Sequence, residues 1–225
     1  VGQGTYEVDP TTVRDIAPEV LGDDGRLKIL PAAYWADTTP AERMLFGFRH
    51  GIYSFPTVEL VERLREIIGG RVAIEIGAGH GVLADALGIP GTDNREQEKP
   101  GVRMLLAMQG SPPVRYGPNI VEAHASRAVR LFKAEVVIGC WVTQLWDPRA
   151  SWNPGDSKLD GVDEEDIIRQ CQFYVLVGNE KVHEAKRIWS RPHHIEYPPF
   201  VYSRAMNGAR EFIAVWKGSG MRKQR

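Results

Sequence analysis

The stretch Val72-Ala73-Ile74-Glu75-Ile76-Gly77-Ala78-Gly79-His80-Gly81-Val82-Leu83-Ala84 constrains this chain more than any other. An apolar run carrying an acid breaks into three glycines at alternate positions and resumes as a helical pattern. It reads as a buried strand, a tight turn and the first turn of a helix. Glycines at such a turn let the backbone bend sharply and approach a ligand with no Cβ in the way. The helix start adds free N–H groups and the positive end of its dipole.

From residue 71 onward the pattern keeps alternating. Strands are expected at 72–76, near 91–93, at 119–122, at 135–142 and at 173–177, with helices at 81–87, 124–132, 163–170 and 180–189. Two further strands, 195–202 and 211–216, are separated by Asn207-Gly208, a connecting turn. Alternation of this kind predicts an α/β fold: a doubly wound, mainly parallel seven-stranded sheet covered on both faces, ending in an antiparallel hairpin. The first fifty-odd residues differ. They read as helices at 11–21, at 40–48 behind the capping box Thr39-Pro40-Ala41-Glu42, and from 56 up to the Gly69-Gly70 stop. The expected organisation is a helical N-terminal extension or lid over 1–52, a Rossmann-like domain over 53–217 and a basic tail over 218–225. Two Pro-rich loops, 94–118 and 147–161, follow strands and are expected at the ligand-binding end of the sheet.

Composition narrows the setting. In 225 residues, 28 Lys and Arg face 29 Asp and Glu, a net charge of -1 that argues against bulk binding of nucleic acid. Cys140 and Cys171 sit in apolar segments with no metal-ligand or disulfide spacing, so a reduced, cytoplasmic setting is expected. No run approaches the ~20 apolar residues of a membrane span. Val1-Gly2-Gln3-Gly4 lacks the basic and apolar regions of a secretory signal, and without an initiator Met the numbering is expected to begin after a removed or engineered segment.

The glycine spacing selects among nucleotide ligands. A dinucleotide loop counted from Gly77 needs its third glycine at position 82, which is Val82, and no Gly-Lys-Ser/Thr follows for a Walker loop. An acid on the strand end suits an ammonium group better than a pyrophosphate. Eighteen residues after Glu75, Asp93 ends the expected second strand, where an acid can hold both hydroxyls of a ribose. The two acids together ask for a nucleoside with a cationic, amino-acid-like tail.

Glu75-Ile76-Gly77-Ala78-Gly79-His80-Gly81 resembles, position by position, the E/D-x-G-x-G-x-G loop of S-adenosylmethionine-dependent methyltransferases with the Rossmann-like fold. The resemblance runs from about Ser54 through Trp216. It implies S-adenosylmethionine as cofactor, with Gly77 and Gly79 along the methionine part, Ala78 and Gly81 completing the loop, Glu75 near the amino group and Asp93 on the ribose. The stretch Val121-Glu122-Ala123-His124-Ala125 corresponds to the family's adenine region, with Ala123 and His124 as the candidates there. The implied activity is methyl transfer, the alternative a binding or structural protein that keeps the fold.

The acceptor side is expected at the ends of the fourth and fifth strands, with Trp141, Thr143 and Gln144 on one and Asn179 and Glu180 on the other. The Asp/Asn-Pro-Pro-Tyr motif of amino-group methylation on bases is absent, and Gly139 rather than Pro precedes Cys140. Cys140 therefore reads as a buried strand residue. Trp141 and Trp146 suit either a core or a planar, apolar substrate. The expected acceptor is a small or medium-sized molecule, with nucleic acid set aside. No metal is expected: His80 and His124 read as pocket-wall residues, and His183 and His193-His194 as solvated ones. Sequence names no general base.

Overall fold

The glycine-bearing unit sits at the centre of a seven-stranded sheet. The computed structural model describes residues 9–150, 158 and 160–220, so most of the expected tail, from residue 221 on, lies outside the described residues. The strands are β1 (Ser54–Phe55), β2 (Ala73–Ile76), β3 (Gly91–Asp93), β4 (Ile120–Glu122), β5 (Val136–Cys140), β6 (Phe173–Asn179), β7 (His193–Glu196), β8 (Tyr202–Ser203) and β9 (Glu211–Lys217). Their order in the large sheet is β4-β3-β2-β5-β6-β9-β7. The five from β4 to β6 run parallel, and β9 lies antiparallel to both β6 and β7. This is the expected mainly parallel sheet, with its last strand set inside the sheet rather than at the edge.

Both faces of the sheet are covered, which is why β5 is buried at every residue and reads as an unbroken apolar run. One face packs Ile74, Val137, Tyr174, Leu176 and Trp216 under the helices Ala125–Phe132 and Glu164–Gln170. The other packs Val136, Ile138, Val175 and Val177 under Val58–Ile68 and Val82–Leu87. Successive strand residues alternate between the two cores, as the pleat requires.

Three expected elements came out differently. The helix at 11–21 is only Ala17–Val20, entered through Pro18, whose ring fits a first turn but not a helix interior. The helix at 180–189 stops at His183, and the chain leaves it so that Lys186 can reach Glu164 in the core, Nζ to Oε2 at 2.9 Å. The strand at 195–202 divides at Pro198-Pro199, which cannot donate to a ladder. Its first half becomes β7, whereas β8 turns away to pair with β1. The loop at 94–118, irregular in sequence, holds the helix Pro100–Met108.

The N-terminal segment forms a third core around Trp35, which stacks on Phe55 of β1 with centroids 4.5 Å apart and also packs near Val82. Its helix Pro40–His50 carries the expected capping box: Glu42 N–H donates to Thr39 Oγ1 at 3.2 Å and Thr39 N–H donates to Glu42 Oε2 at 2.6 Å. Gly51, at the end of that helix, leads into Tyr53, Ser54 and Pro56 at the carboxyl end of the sheet.

Candidate functional site

A cavity of about 480 Å³ opens at the carboxyl ends of β2 to β5. On β2, the pleat places Glu75 against the turn and the packed chain leaves it only 3% exposed. One of its oxygens accepts from Ala84 N–H, while Oε2 has no hydrogen-bond partner. Burial raises the carboxyl from 4.5 to about 8, and the nearby charges of Asp93 and Asp85 add to the effect. A buried acceptor with no donor is costly, and an ammonium group beside it would offset that cost.

Gly77, Ala78 and Gly79 line the cavity next to Glu75. Gly79 has φ +52°, and a Cβ there would stand 3.3 Å from Val114 Cγ1. Its N–H donates to Asp93 Oδ2 at 3.0 Å, and Arg95 N–H donates to Oδ1 at 2.9 Å. Asp93 thus holds the glycine turn in place as well as facing the cavity. Burial still raises its carboxyl above the usual range, against the pull of those N–H groups. Gly81 stands apart from the cavity wall: it caps the helix Val82–Leu87, and a Cβ would meet Ile120 Cδ1 at 2.6 Å. Ala123 and His124, between β4 and the next helix, line the far end. His80 also lines the cavity, with Nδ1 accepting from Val82 N–H at 3.2 Å, and burial lowers it to about 4.

Across the cavity stand Trp141, Thr143, Gln144 and Trp146. Trp141 leaves β5 in the left-handed region, φ +60°, which is uncommon for a bulky residue and turns the chain toward the cavity. Its indole meets the edge of His183, centroids 5.6 Å apart, and its Nε1 has no partner. Cys140 Sγ lies 3.2 Å from Ser54 Oγ, and burial pushes its thiol up to about 12. At neutral pH it is a thiol, not a nucleophile.

The structure does not bring Asn179 and Glu180 to this wall. Asn179 accepts from Lys181 N–H and Val182 N–H at 3.2 and 3.3 Å, and donates to Ala209 O at 3.2 Å. Glu180 pairs with Arg210 at 2.8 Å. The end of β6 is thus used in capping a short helix and is covered by the approach to β9, so the acceptor role expected of these two residues is withdrawn. His183, expected on a solvated face, is buried under Phe212 and Trp141.

Several wall residues carried no sequence signal: Tyr53, Ser54, Glu96, Ser126 and Asp160. Asp163 and Asp166 were visible only as acids at a helix start, and Asp163 does cap that helix by accepting from Asp166 N–H at 3.0 Å. The two Pro-rich loops reach the cavity and are tied to each other there. Asn94 Nδ2 donates to Asp160 O at 3.0 Å, and Lys99 Nζ meets Asp160 Oδ1 at 2.8 Å. Among the described residues no group of three or more His, Cys, Asp or Glu could hold a metal ion, and no helix is long and apolar enough to cross a membrane.

No family model and no curated protein matches the chain. Solved structures do. The crystal structure of a Pyrococcus abyssi tRNA (uracil-54, C5)-methyltransferase in complex with S-adenosyl-L-homocysteine is 18% identical, TM-score 0.35, over 70% of this chain and 37% of that one. The E. cuniculi Mtq2-Trm112 complex, described as responsible for methylation of the eRF1 translation termination factor, is 16% identical, TM-score 0.36, over 72% and 93%. A Spodoptera frugiperda DNMT2 mutant is 7% identical, TM-score 0.33, over 68% and 52%. The chain therefore spans little more than a third of the length of the first of these proteins.

Sheet order, the inserted antiparallel β9 and the glycine turn after β2 together define the Rossmann-like fold of S-adenosylmethionine-dependent methyltransferases. The expectation of a small acceptor, with nucleic acid set aside, is corrected. The matching structures include a tRNA methyltransferase and a complex described as responsible for methylating a protein.

Proposed function

We propose that the chain is an S-adenosylmethionine-dependent methyltransferase. The cofactor would lie across the ends of β2, β3 and β4, against Glu75, Gly77, Ala78, Gly79, Asp93, Ala123 and His124. The observation that carries this reading is the buried Glu75 carboxyl, with one unpartnered oxygen, beside a glycine turn in a 480 Å³ cavity. Asp93 supplies the second acid, and it is fixed by two backbone N–H groups before any ligand arrives. Two carboxylates so placed fit a nucleoside with a cationic tail.

When bound, S-adenosylmethionine supplies a methyl group already activated by its sulfonium. The protein's part is then to align donor and acceptor and to exclude water. The walls at Trp141 and Tyr53 would do this on the acceptor side. In the same reading, residues 53–217 are the cofactor-binding domain and the segment before them is an extension whose end, Gly51, borders the site. Its compartment would be a reducing one such as the cytoplasm, since both cysteines are buried and unbridged.

Titration calorimetry with S-adenosylmethionine tests the reading. Saturable binding with proton release below pH 8 is expected, because an ammonium beside Glu75 favours the ionised carboxylate. No heat with S-adenosylmethionine, or equal binding of a nicotinamide dinucleotide, would overturn it.

A further inference from the structure

The charge of the cavity is one-sided. Among the described residues that line it, Glu75, Asp93, Glu96, Asp160, Asp163 and Asp166 carry carboxyl groups, and none is Lys or Arg. A nucleoside with an amino-acid tail accounts for Glu75, Asp93 and one further acceptor for an exocyclic amine. Acid remains beyond that need. Lys99 neutralises Asp160 and Arg169 pairs with Asp166, both from outside the lining, and Asp163 caps a helix, so the acid left over is Glu96. Glu96 is 8% exposed, and its carboxyl is raised by burial first and by the charge of Asp160 next, so a cation beside it would be favoured twice.

Aromatic rings stand in the same walls: Tyr53, Tyr116, Trp141 and Trp146. Two of them already hold a guanidinium on one face, Arg204 over Tyr53 at 3.7 Å and Arg95 over Tyr116 at 5.1 Å. Carboxylates with aromatic faces are the chemistry that recognises an ammonium or guanidinium group.

We propose that the acceptor is a basic side chain, lysine or arginine, on a segment of a protein, received between Glu96, Tyr53 and Trp141. This deepens the methyltransferase reading and rests on it. In the transfer, the acceptor nitrogen gives its proton to the Glu96 carboxylate and bonds to the methyl carbon. The carbon–sulfur bond breaks, and its electron pair stays on sulfur.

The test uses the full chain and fluorescent peptides rich in lysine, in arginine or in glutamate, together with an unstructured RNA oligomer. Anisotropy reads binding, and tritium from labelled S-adenosylmethionine reads transfer. A lysine or arginine peptide is expected to bind and to take the label, and hydrolysis of the product tells methyl-lysine from methyl-arginine. Glu96→Gln should weaken that peptide about tenfold while S-adenosylmethionine affinity stays within about threefold, the scale of one charge-assisted hydrogen bond. If Glu96→Gln does not fold, Asp160→Asn and the loss of peptide affinity at high salt give the same reading. Equal binding of the glutamate peptide, label in RNA alone, or equal labelling of free lysine or arginine overturns the inference. Binding of S-adenosylmethionine without any basic peptide overturns this inference alone, whereas failure to bind S-adenosylmethionine overturns the methyltransferase reading beneath it.

Discussion

The wall of the cavity on β2 and β3 is made largely of main chain: Gly77 to Gly79, with Asp93 tying the turn through two N–H groups. The wall facing it is made of side chains from separate segments: Tyr53 and Ser54 after the helix Pro40–His50, Glu96 after β3, Trp141 to Trp146 after β5, and Asp160 before the next helix. The first wall has almost no freedom to vary, because each residue is fixed by the strand it leaves or the turn it makes. The second is held by ties between loops, such as Lys99 to Asp160. A scaffold of this kind can keep one ligand constant and exchange the other.

That contrast can be broken first at Gly79. Gly79→Leu places a branched side chain against Val114 at a left-handed φ, so S-adenosylmethionine binding is expected to vanish in calorimetry while circular dichroism stays native. A variant that still binds would mean that the main-chain wall does not touch the ligand.

Next in size is the pH dependence of the buried acid. Glu75 binds its proton more tightly when folded, about 8 against 4.5, so the folded state loses stability as pH rises through that window. Glu211, raised from 4.5 to about 7 by burial, acts in the same sense. Glu75→Gln removes its share: without ligand it should melt above the parent at pH 8.5, by on the order of 5–10 °C, and the gap should close toward pH 5. A constant gap across that range would show that Glu75 titrates normally.

On the side-chain wall, Trp141→Ala should lower methyl transfer by about tenfold or more and leave S-adenosylmethionine affinity within about threefold. Equal losses in both would merge the two walls into one site. The smallest effect belongs to the tie between the loops. Lys99→Met removes a partly exposed pair and should cost less than about 1 kcal/mol in urea denaturation.

The difference between the walls also explains what could be read without coordinates. Glu75, Gly77, Ala78 and Gly79 are neighbours in the chain, and Asp93 lies one strand–helix unit away, so local spacing was enough to group them. The capping box at Thr39 and the helix stop at Gly69 were legible for the same reason. Glu96, Tyr53 and Asp160 meet only through loop paths that no periodicity encodes. Asn179 and Glu180 misled because a strand end at the ligand side of a sheet need not be open: here the last strand's approach covers it. Lys186 gave no warning that it would leave a helix to pair with Glu164 inside the core, where Tyr174 OH also donates at 2.7 Å.

The placement of β9 sets an order on how the chain can mature during synthesis. Seven residues of β6 pair with β9, and β7 attaches to the sheet through β9 as well. Yet β9 leaves the ribosome after every other strand. A nascent chain that has already delivered the glycine turn, β5 and β6 still presents an unpaired edge bearing Val175, Leu176 and Val177, a template for pairing with the wrong partner. The vulnerable interval is therefore the time taken to translate the residues between β6 and β9, and slow codons there would lengthen it.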